Sequence, residues 1–280
     1  MERIVNEEPV GRGAVRERPG RAPVHRETVV PIAHAVDDLA PPAEFVVSPA
    51  AATRTLGALV LALVGAHVVG QLSRLYAGRD SLFGLVQLFD LNLERNVPTW
   101  YATVSLLLCA VLLAVVARLA RRAHRPYVAH WTALAIGFLL LSVEEMLDYH
   151  SALKAVSVPG EQARGFLLHA WVVPAAVIAL VVAAVYLRFL MHLPARSRRL
   201  FVLAGLLYVG GAVGLESVSG QAQELFGRGS APLVLASTLE ETAEMAGVLV
   251  FVYALLDYLQ RAAPVLRLRL ASSSRPVAAR

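Results

Sequence analysis

The stretch that decides the fold class is Val128–Tyr149, VAHWTALAIGFLLLSVEEMLDY, in which an apolar run ends in a group of acids. A similar pattern, TLEETAEM at Thr238–Met245, lies in the middle of another apolar run. Both read hydroxyl, aliphatic residue, Glu, Glu, two further residues and an acid. Because an unpaired charge is costly in apolar surroundings, the repetition indicates that these acids have a specific partner or task.

The composition around these stretches is that of a membrane protein. Of the 280 residues, 57% are hydrophobic and only 17% are charged, whereas an average soluble domain carries about a quarter charged residues. Apolar runs near the ~20 residues that cross a bilayer recur along the chain. The predicted fold class is therefore all-α, a polytopic membrane bundle of six transmembrane helices. We place these spans at 55–75, 99–118, 128–148, 166–190, 200–220 and 232–259.

The flanking segments differ from the spans in composition. Residues 1–54 mix Arg, Glu, Pro and Gly without periodicity, which predicts a disordered cytoplasmic tail. Residues 55–260 form the predicted transmembrane domain, and 261–280 a basic cytoplasmic tail. The amphipathic segment 81–97 is too short to span and is predicted to lie in the membrane interface.

Arginine is distributed unevenly between the two sides of the predicted bundle. Alternate loops and the C-terminal tail are Arg-rich, and the intervening loops carry fewer cations; the rich set is Arg118, Arg121, Arg122, Arg125, Arg188, Arg196, Arg198, Arg199, Arg261, Arg267, Arg269, Arg275 and Arg280. Cytoplasmic loops carry such an excess, so the pattern predicts a multi-pass protein of the cytoplasmic (plasma) membrane with both termini in the cytoplasm. We interpret the basic charge as contact with lipid headgroups of the bilayer, and not as nucleic-acid binding.

Counting along the helices places several acids in one layer. At about 1.5 Å per residue, Glu145, Glu216 and Glu244 lie roughly 21–25 Å from the cytoplasmic ends of their spans. In a hydrocarbon core of ~30 Å this is the outer third. The candidate metal- or proton-binding residues are Glu144, Glu145, Asp148, His150, Glu216, Glu240, Glu241 and Glu244, with His169 and His67 in supporting roles. His67 is interpreted as a hydrogen-bonded core residue in preference to a proton relay.

The chemistry of this layer follows from the spacing of its acids. Acids three or four residues apart share a helix face, which pairs Glu145 with Asp148 and Glu240 or Glu241 with Glu244. Several carboxylates in a low dielectric cannot all remain ionised, and no Arg or Lys lies at this depth in a span. The acids must then bind a cation or hold protons. Oxygen ligands with one or two His suit Mg, Mn, Ca or Fe, although the Glu-x-x-His signature of di-iron bundles is absent.

Other readings stay open for parts of this layer. The acids of span three are also explained as solvated residues at headgroup level, and Glu216 as a capping or interfacial residue. Gly210 and Gly214 predict a close-packed face of small residues on span five. Trp100, Tyr101 and Trp171 are predicted as aromatic anchors at the outer interface.

Three functions are compatible with an outward-facing carboxylate and histidine site. The favoured one is cation- or proton-binding transport or ion handling. The second is a metal-dependent enzyme acting on a lipid at the outer leaflet, with a Glu as general base on a metal-bound water. The third is an accessory subunit whose acids pair with a partner's Arg. The sequence leaves open whether the chain is an enzyme, and whether it forms a homo-oligomer.

Four segments carry a resemblance to known sequences: NVPTWYATVSLLL, LSVEEMLDYH, YVGGAVGLE and LEETAEMAGVLVFVYALLDYL. They resemble a family of uncharacterised bacterial multi-pass membrane proteins, over roughly residues 57–260. The resemblance implies a membrane location and implies that the acids belong together. It implies no particular substrate.

Overall fold

The computed structural model describes residues 48–78, 81, 83–148, 164–169 and 171–262. Within these residues the chain is helical and has no strands, and six helices are long and apolar enough to cross a membrane. The predicted fold class is thereby confirmed. The helices are α1 (Pro49–Ala77), the short α2 (Leu85–Leu88), α3 (Val97–Arg122), α4 (Val128–Leu147), α5 (Val172–His192), α6 (Ala195–Phe226) and α7 (Ala231–Ala262). All except α2 are membrane-span candidates.

The first span begins earlier than the sequence suggested. α1 starts at Pro49 and not at residue 55, because Ser48 accepts a hydrogen bond from the Ala51 N–H and Pro49 occupies the first helical turn. Both features favour a helix start. The remainder of the predicted N-terminal tail and residues 263–280 lie outside the described residues.

Helix α7 is the centre of the bundle. It packs against α1, α3 and α6, whereas α4 packs mainly along α3. The most deeply buried apolar side chains lie where α3 and α7 meet; they are Cys109, Leu113, Val252 and Leu255. By contrast α5 is the least buried of the six long helices. Because α7 is central, its acidic side chains lie among neighbouring helices and not on the solvent-facing surface.

Successive long helices run in opposite directions, which gives the bundle two distinct ends. We call the end where α1, α4 and α6 finish the acidic end, and the opposite end the basic end. At the basic end, α3 and α4 join through residues 123–127, and α5 and α6 through Leu193 and Pro194. The hydroxyl of Tyr186 on α5 donates to the carbonyl of His130 on α4 at 3.0 Å, which ties α5 to the bundle there.

The segment between α1 and α3 is more folded than its amphipathic sequence suggested. Only Leu85–Leu88 is helical. Val86, Asp90 and Leu91 are buried, and the Leu91 N–H donates to His67 on α1. In the described residues this segment therefore packs onto α1 as a cap at the acidic end.

Helix α6 widens where it passes the acids of α7. Residues Gly210–Leu215 form a π-helical stretch within it. The close contacts are made by Gly211 and Gly247, since a Cβ on Gly211 would lie 2.8 Å from Glu244 Cγ and one on Gly247 would lie 2.7 Å from the Tyr208 nitrogen. The packing face predicted for Gly210 and Gly214 is wrong, because a Cβ at either position would meet no described atom within 4 Å.

Candidate functional site

Two acids from different helices meet in the interior at the acidic end. Glu216 follows the π-helical stretch of α6, and Glu240 lies on α7; they are only 5% and 7% exposed. Their carboxyl groups are close enough to interact with each other. The Ser219 hydroxyl, one turn after Glu216, lies 3.0 Å from Glu240 Oε2. Glu216 is therefore packed inside the bundle and is not exposed on its surface.

The segment before α5 supplies further polar partners to this pair. His169 Nδ1 lies 2.7 Å from Glu216 Oε1, and the indole N–H of Trp171 donates to the same oxygen at 3.2 Å. The segment approaches α6 at Gly220, where a Cβ would lie 3.3 Å from the Gly165 carbonyl oxygen. Trp171, predicted as an interface anchor, is thus a partner of Glu216.

A second group of acids lines a small cavity next to this pair. Glu145 on α4 and Glu241 and Glu244 on α7 surround a void of about 20 Å³, with hydroxyl groups from other helices; these are Tyr101, Ser105 and Tyr208. A cavity needs ~10–15 Å³ to hold one water molecule. The charged neighbours of Glu244 include Glu241, Glu145 and Glu216. Glu244 therefore connects the cavity to the Glu216–Glu240 pair.

The other predicted site residues lie around these two groups or outside the described chain. Glu144 is half-buried and also neighbours Glu244. Asp148 does not share a helix face with Glu145, because α4 ends at Leu147 and Asp148 adopts a left-handed conformation with φ 54°. Its N–H donates to the Glu144 carbonyl at 2.7 Å. His150 lies outside the described residues.

The described partners of these acids include hydroxyl and N–H groups. Of the described residues, no Lys or Arg lines the cavity. Among the residues that the structure describes, no group of three or more His, Cys, Asp and Glu is arranged to hold a metal ion. The divalent metal stays a prediction from composition.

His67 belongs to a separate polar network. Its side chain is fully buried, with Nε2 2.9 Å from the Thr238 hydroxyl on α7 and Nδ1 3.3 Å from Asp90 Oδ1 in the cap. Burial raises the pKa of the Asp90 carboxyl, but contacts with His67, the Asn92 N–H and Gln71 outweigh it and hold this pKa below its usual 3.8. The interpretation of His67 as a hydrogen-bonded core residue agrees with these contacts.

Sequence reasoning did not identify several polar residues that surround the acids. Ser219 and Thr238 lie one turn from Glu216 and Glu241, so their i, i+3 spacing from an acid was the available signal. Asp90 carried no such signal, because its position depends on how the cap folds onto α1.

The chain was compared with protein families, curated proteins and solved structures. A family described as Domain of unknown function (DUF8692) matches residues 55–259, which is more than half of the chain. No curated protein and no solved structure matches. The match covers all six long helices and both groups of acids.

Proposed function

This chain belongs to the family described as Domain of unknown function (DUF8692), and we propose from its site that it is a proton-binding membrane protein, in which buried carboxyl groups take up and release protons during transport or ion handling. The observation that carries this proposal is that Glu216 and Glu240, two buried acids on different helices, are close enough for their carboxyl groups to interact. Such intramembrane acids are rare, and they typically mark proton or ion pathways.

The electrostatics of this pair favour a bound proton. Two adjacent carboxylates in a low dielectric cannot both be ionised without a compensating cation. The partners of the pair include a hydroxyl, an indole N–H and an imidazole, from Ser219, Trp171 and His169. A proton held between the two carboxyl groups satisfies this arrangement without a metal.

The neighbouring cavity supports exchange of that proton. It has room for about one water molecule and is lined by Glu145, Glu241 and Glu244. A water there can pass a proton between these acids, and Glu244 is the neighbour that connects them to Glu216. We propose that the acidic end faces away from the cytoplasm, as the Arg distribution predicts, so that the site exchanges protons with the external side of the plasma membrane.

The π-helical stretch of α6 supports a link between protonation and shape. Such stretches occur frequently at functional sites, and this one ends directly before Glu216. Its Gly211 lies against Glu240 and Glu244 on α7. A change in the charge of Glu240 or Glu244 therefore affects the π-helical stretch of α6, where the helical hydrogen-bond pattern is irregular.

The experiment that tests the proposal follows carboxyl protonation directly. Infrared difference spectra of the purified protein in lipid, recorded across pH, are expected to show a carboxylic-acid C=O band that titrates. Glu240→Gln and Glu216→Gln should each remove this band. Glu224→Gln is the matched control, because Glu224 lies two turns further along α6 on the exposed surface and the amide oxygen of Gln can still accept the hydrogen bond from Gly165.

Three results would argue against the proposal. A spectrum without a titrating band that depends on these acids excludes the proton site. Loss of the band on stoichiometric binding of Mn²⁺, Mg²⁺ or Ca²⁺ favours a metal, and with it the lipid-directed enzyme. A band that disappears only when a partner protein binds favours the accessory subunit.

A further inference from the structure

The cap at the acidic end holds a titratable network that is distinct from the carboxyl pair. His67 is fully buried on α1, and Asp90 in the cap is 4% exposed. The imidazole contacts two other elements, because Nδ1 accepts the Leu91 N–H of the cap at 3.0 Å and Nε2 contacts the Thr238 hydroxyl of α7 at 2.9 Å. A single buried side chain thereby joins α1, the cap and α7.

The hydrogen bonds determine which nitrogen of His67 carries the proton. Because the Leu91 N–H donates to Nδ1, this nitrogen has no hydrogen of its own. The Thr238 hydroxyl donates to the Val234 carbonyl at 2.6 Å, so it must accept from Nε2–H. His67 is therefore neutral in this arrangement, with its proton on Nε2.

A second proton on the His67 ring can bind only at Nδ1, which lies next to the Asp90 carboxylate. Asp90 Oδ1 lies 3.3 Å from Nδ1. A proton on Nδ1 creates an N–H that can donate to Asp90, and it removes the lone pair that the Leu91 N–H uses. The imidazolium and the aspartate then form an ion pair, while the Leu91 N–H loses its acceptor.

Leu91 connects this event to the carboxylate cavity. Its side chain packs in one cluster with Val60 and Met245, against which Tyr101 also packs. Met245 and Tyr101 line the cavity of Glu145, Glu241 and Glu244. Thr238, the other partner of His67, lies one turn before Glu241 on α7. The hydrogen bond from the Leu91 N–H to His67 therefore holds in place a residue that packs with Met245 of the cavity wall.

We propose that His67 and Asp90 form a second proton-binding site, which takes a proton from the medium at the acidic end and thereby releases Leu91, which packs in one cluster with Met245 of the cavity wall. This inference rests on the proposed function, because the His67–Asp90 site controls access to the buried acids and their cavity. The charged groups that face His67 in the described residues are Asp90 and, behind it, Arg74, whose Nη1 lies 3.8 Å from Asp90 Oδ2. On α7, Glu241 lies one turn from Thr238, the residue that contacts His67. In the cap, Glu94 contacts the Thr99 hydroxyl.

Hydrogen exchange at the Leu91 amide tests this site. The full-length protein in lipid nanodiscs is labelled at several pH values between about 5 and 8, the range in which an imidazole titrates, and exchange is expressed relative to the intrinsic rate at each pH. We expect protection of the Leu91 amide to fall at least tenfold on acidification. In His67→Gln the amide oxygen can still accept from Leu91 but does not titrate, so protection should become independent of pH.

A second variant keeps the test decisive if His67→Gln does not fold. Asp90→Asn retains the Asn92 contact but removes the anion, so the loss of protection should shift to lower pH. Unchanged protection of Leu91 across the range in the wild-type protein would overturn the proposal. An unchanged transition in either His67→Gln or Asp90→Asn would also overturn it.

The same measurement in Glu240→Gln separates this inference from the proposed function. We expect the Leu91 transition to persist there, because His67 and not the carboxyl pair controls it. Loss of the transition in Glu240→Gln would overturn the second site, since Leu91 would then report on the carboxyl groups. Absence of a titrating carboxylic-acid band with a normal Leu91 transition would instead refute the proposed function alone.

Discussion

The two ends of the bundle handle charge and packing in opposite ways. At the basic end, Asp257 lies 3.3 Å from Arg196 and 3.1 Å from Arg261, so each charge has an opposite partner. At the acidic end, Glu216 and Glu240 are close enough to interact, and Glu216 also lies 2.7 Å from His169 Nδ1. Compensated charges stabilise a contact, whereas adjacent like charges require a proton or another ion.

Packing differs between the ends as well. Aromatic rings fill the basic end, where Trp131 contacts Phe189, Phe201 and Tyr258 edge-on or tilted. The acidic end contains the π-helical stretch, a small cavity and a cap held by polar contacts. We call the ring cluster at the basic end the aromatic seal, and infer that the acidic end, with its cavity and π-helical stretch, is less closely packed.

The largest expected effect is on cysteine labelling, which should be all-or-none and should show which end of the bundle faces outside the cell. Cysteine at Arg228, exposed between α6 and α7 at the acidic end, should react with a membrane-impermeant maleimide in whole cells. Cysteine at Ala123, exposed between α3 and α4, should react only after the membrane is opened. The native Cys109 is completely buried and should not interfere. The opposite labelling pattern would contradict the proposed orientation.

Removing the aromatic seal should have the largest effect on stability. Trp131 is 3% exposed, and replacing a buried Trp by Ala costs about 3–5 kcal/mol. Trp131→Ala should therefore lower the free energy of unfolding by that amount, measured by thermal or denaturant unfolding in detergent. Its carboxylic-acid band should titrate as in the wild-type protein. A changed band would show that the two ends are not separable.

The glycine contact beside the π-helical stretch sharpens the comparison. A Cβ on Gly247 would lie 2.7 Å from a backbone nitrogen of α6, and such overpacking typically costs about 1–3 kcal/mol. We expect this loss of stability in Gly247→Ala. Gly210→Ala is the matched control, because its Cβ would enter open space, and it should change stability by no more than about 0.5 kcal/mol. Equal effects of both substitutions would refute the assigned packing.

The smallest expected effect is the contribution of Asp90 to stability. Its pKa is lower in the folded protein than its usual 3.8, so its charged form favours folding. This stability is fully present above pH 3.8 and is lost as the pH falls through the lowered value. Asp90→Asn should thus be less stable than the wild-type protein by about 1 kcal/mol at neutral pH, and the difference should shrink below pH 3.8. A difference that grows as the pH falls below 3.8 would contradict this sign.

Helix rise made part of the site predictable. The number of residues from a span end gives the depth of a side chain at about 1.5 Å per residue, so Glu145, Glu216 and Glu244 could be placed in one layer without a structure. The rise per residue does not determine which neighbouring helix a side chain faces. The glycine spacing alone did not show that Gly211, and not Gly210, contacts α7.

Contacts made by irregular segments were beyond the sequence pattern. The partnership of Asp90 with His67 depends on the fold of the cap, and that of Trp171 with Glu216 on the approach of a non-helical segment to Gly220. Neither follows from a repeating spacing. The early start of α1 could have been recognised, since Ser48 and Pro49 are a typical helix beginning.

The central claim, that Glu216 and Glu240 share a proton, is tested most directly by a double-mutant cycle on proton uptake. Uptake is measured between alkaline and acidic pH for the wild-type protein, Glu216→Gln, Glu240→Gln and the double variant. Because residues that share one partner are not additive, we predict that each single substitution abolishes the uptake of this pair and that the double variant loses no more. Losses that add in the double variant would show two independent acids and would contradict the shared proton.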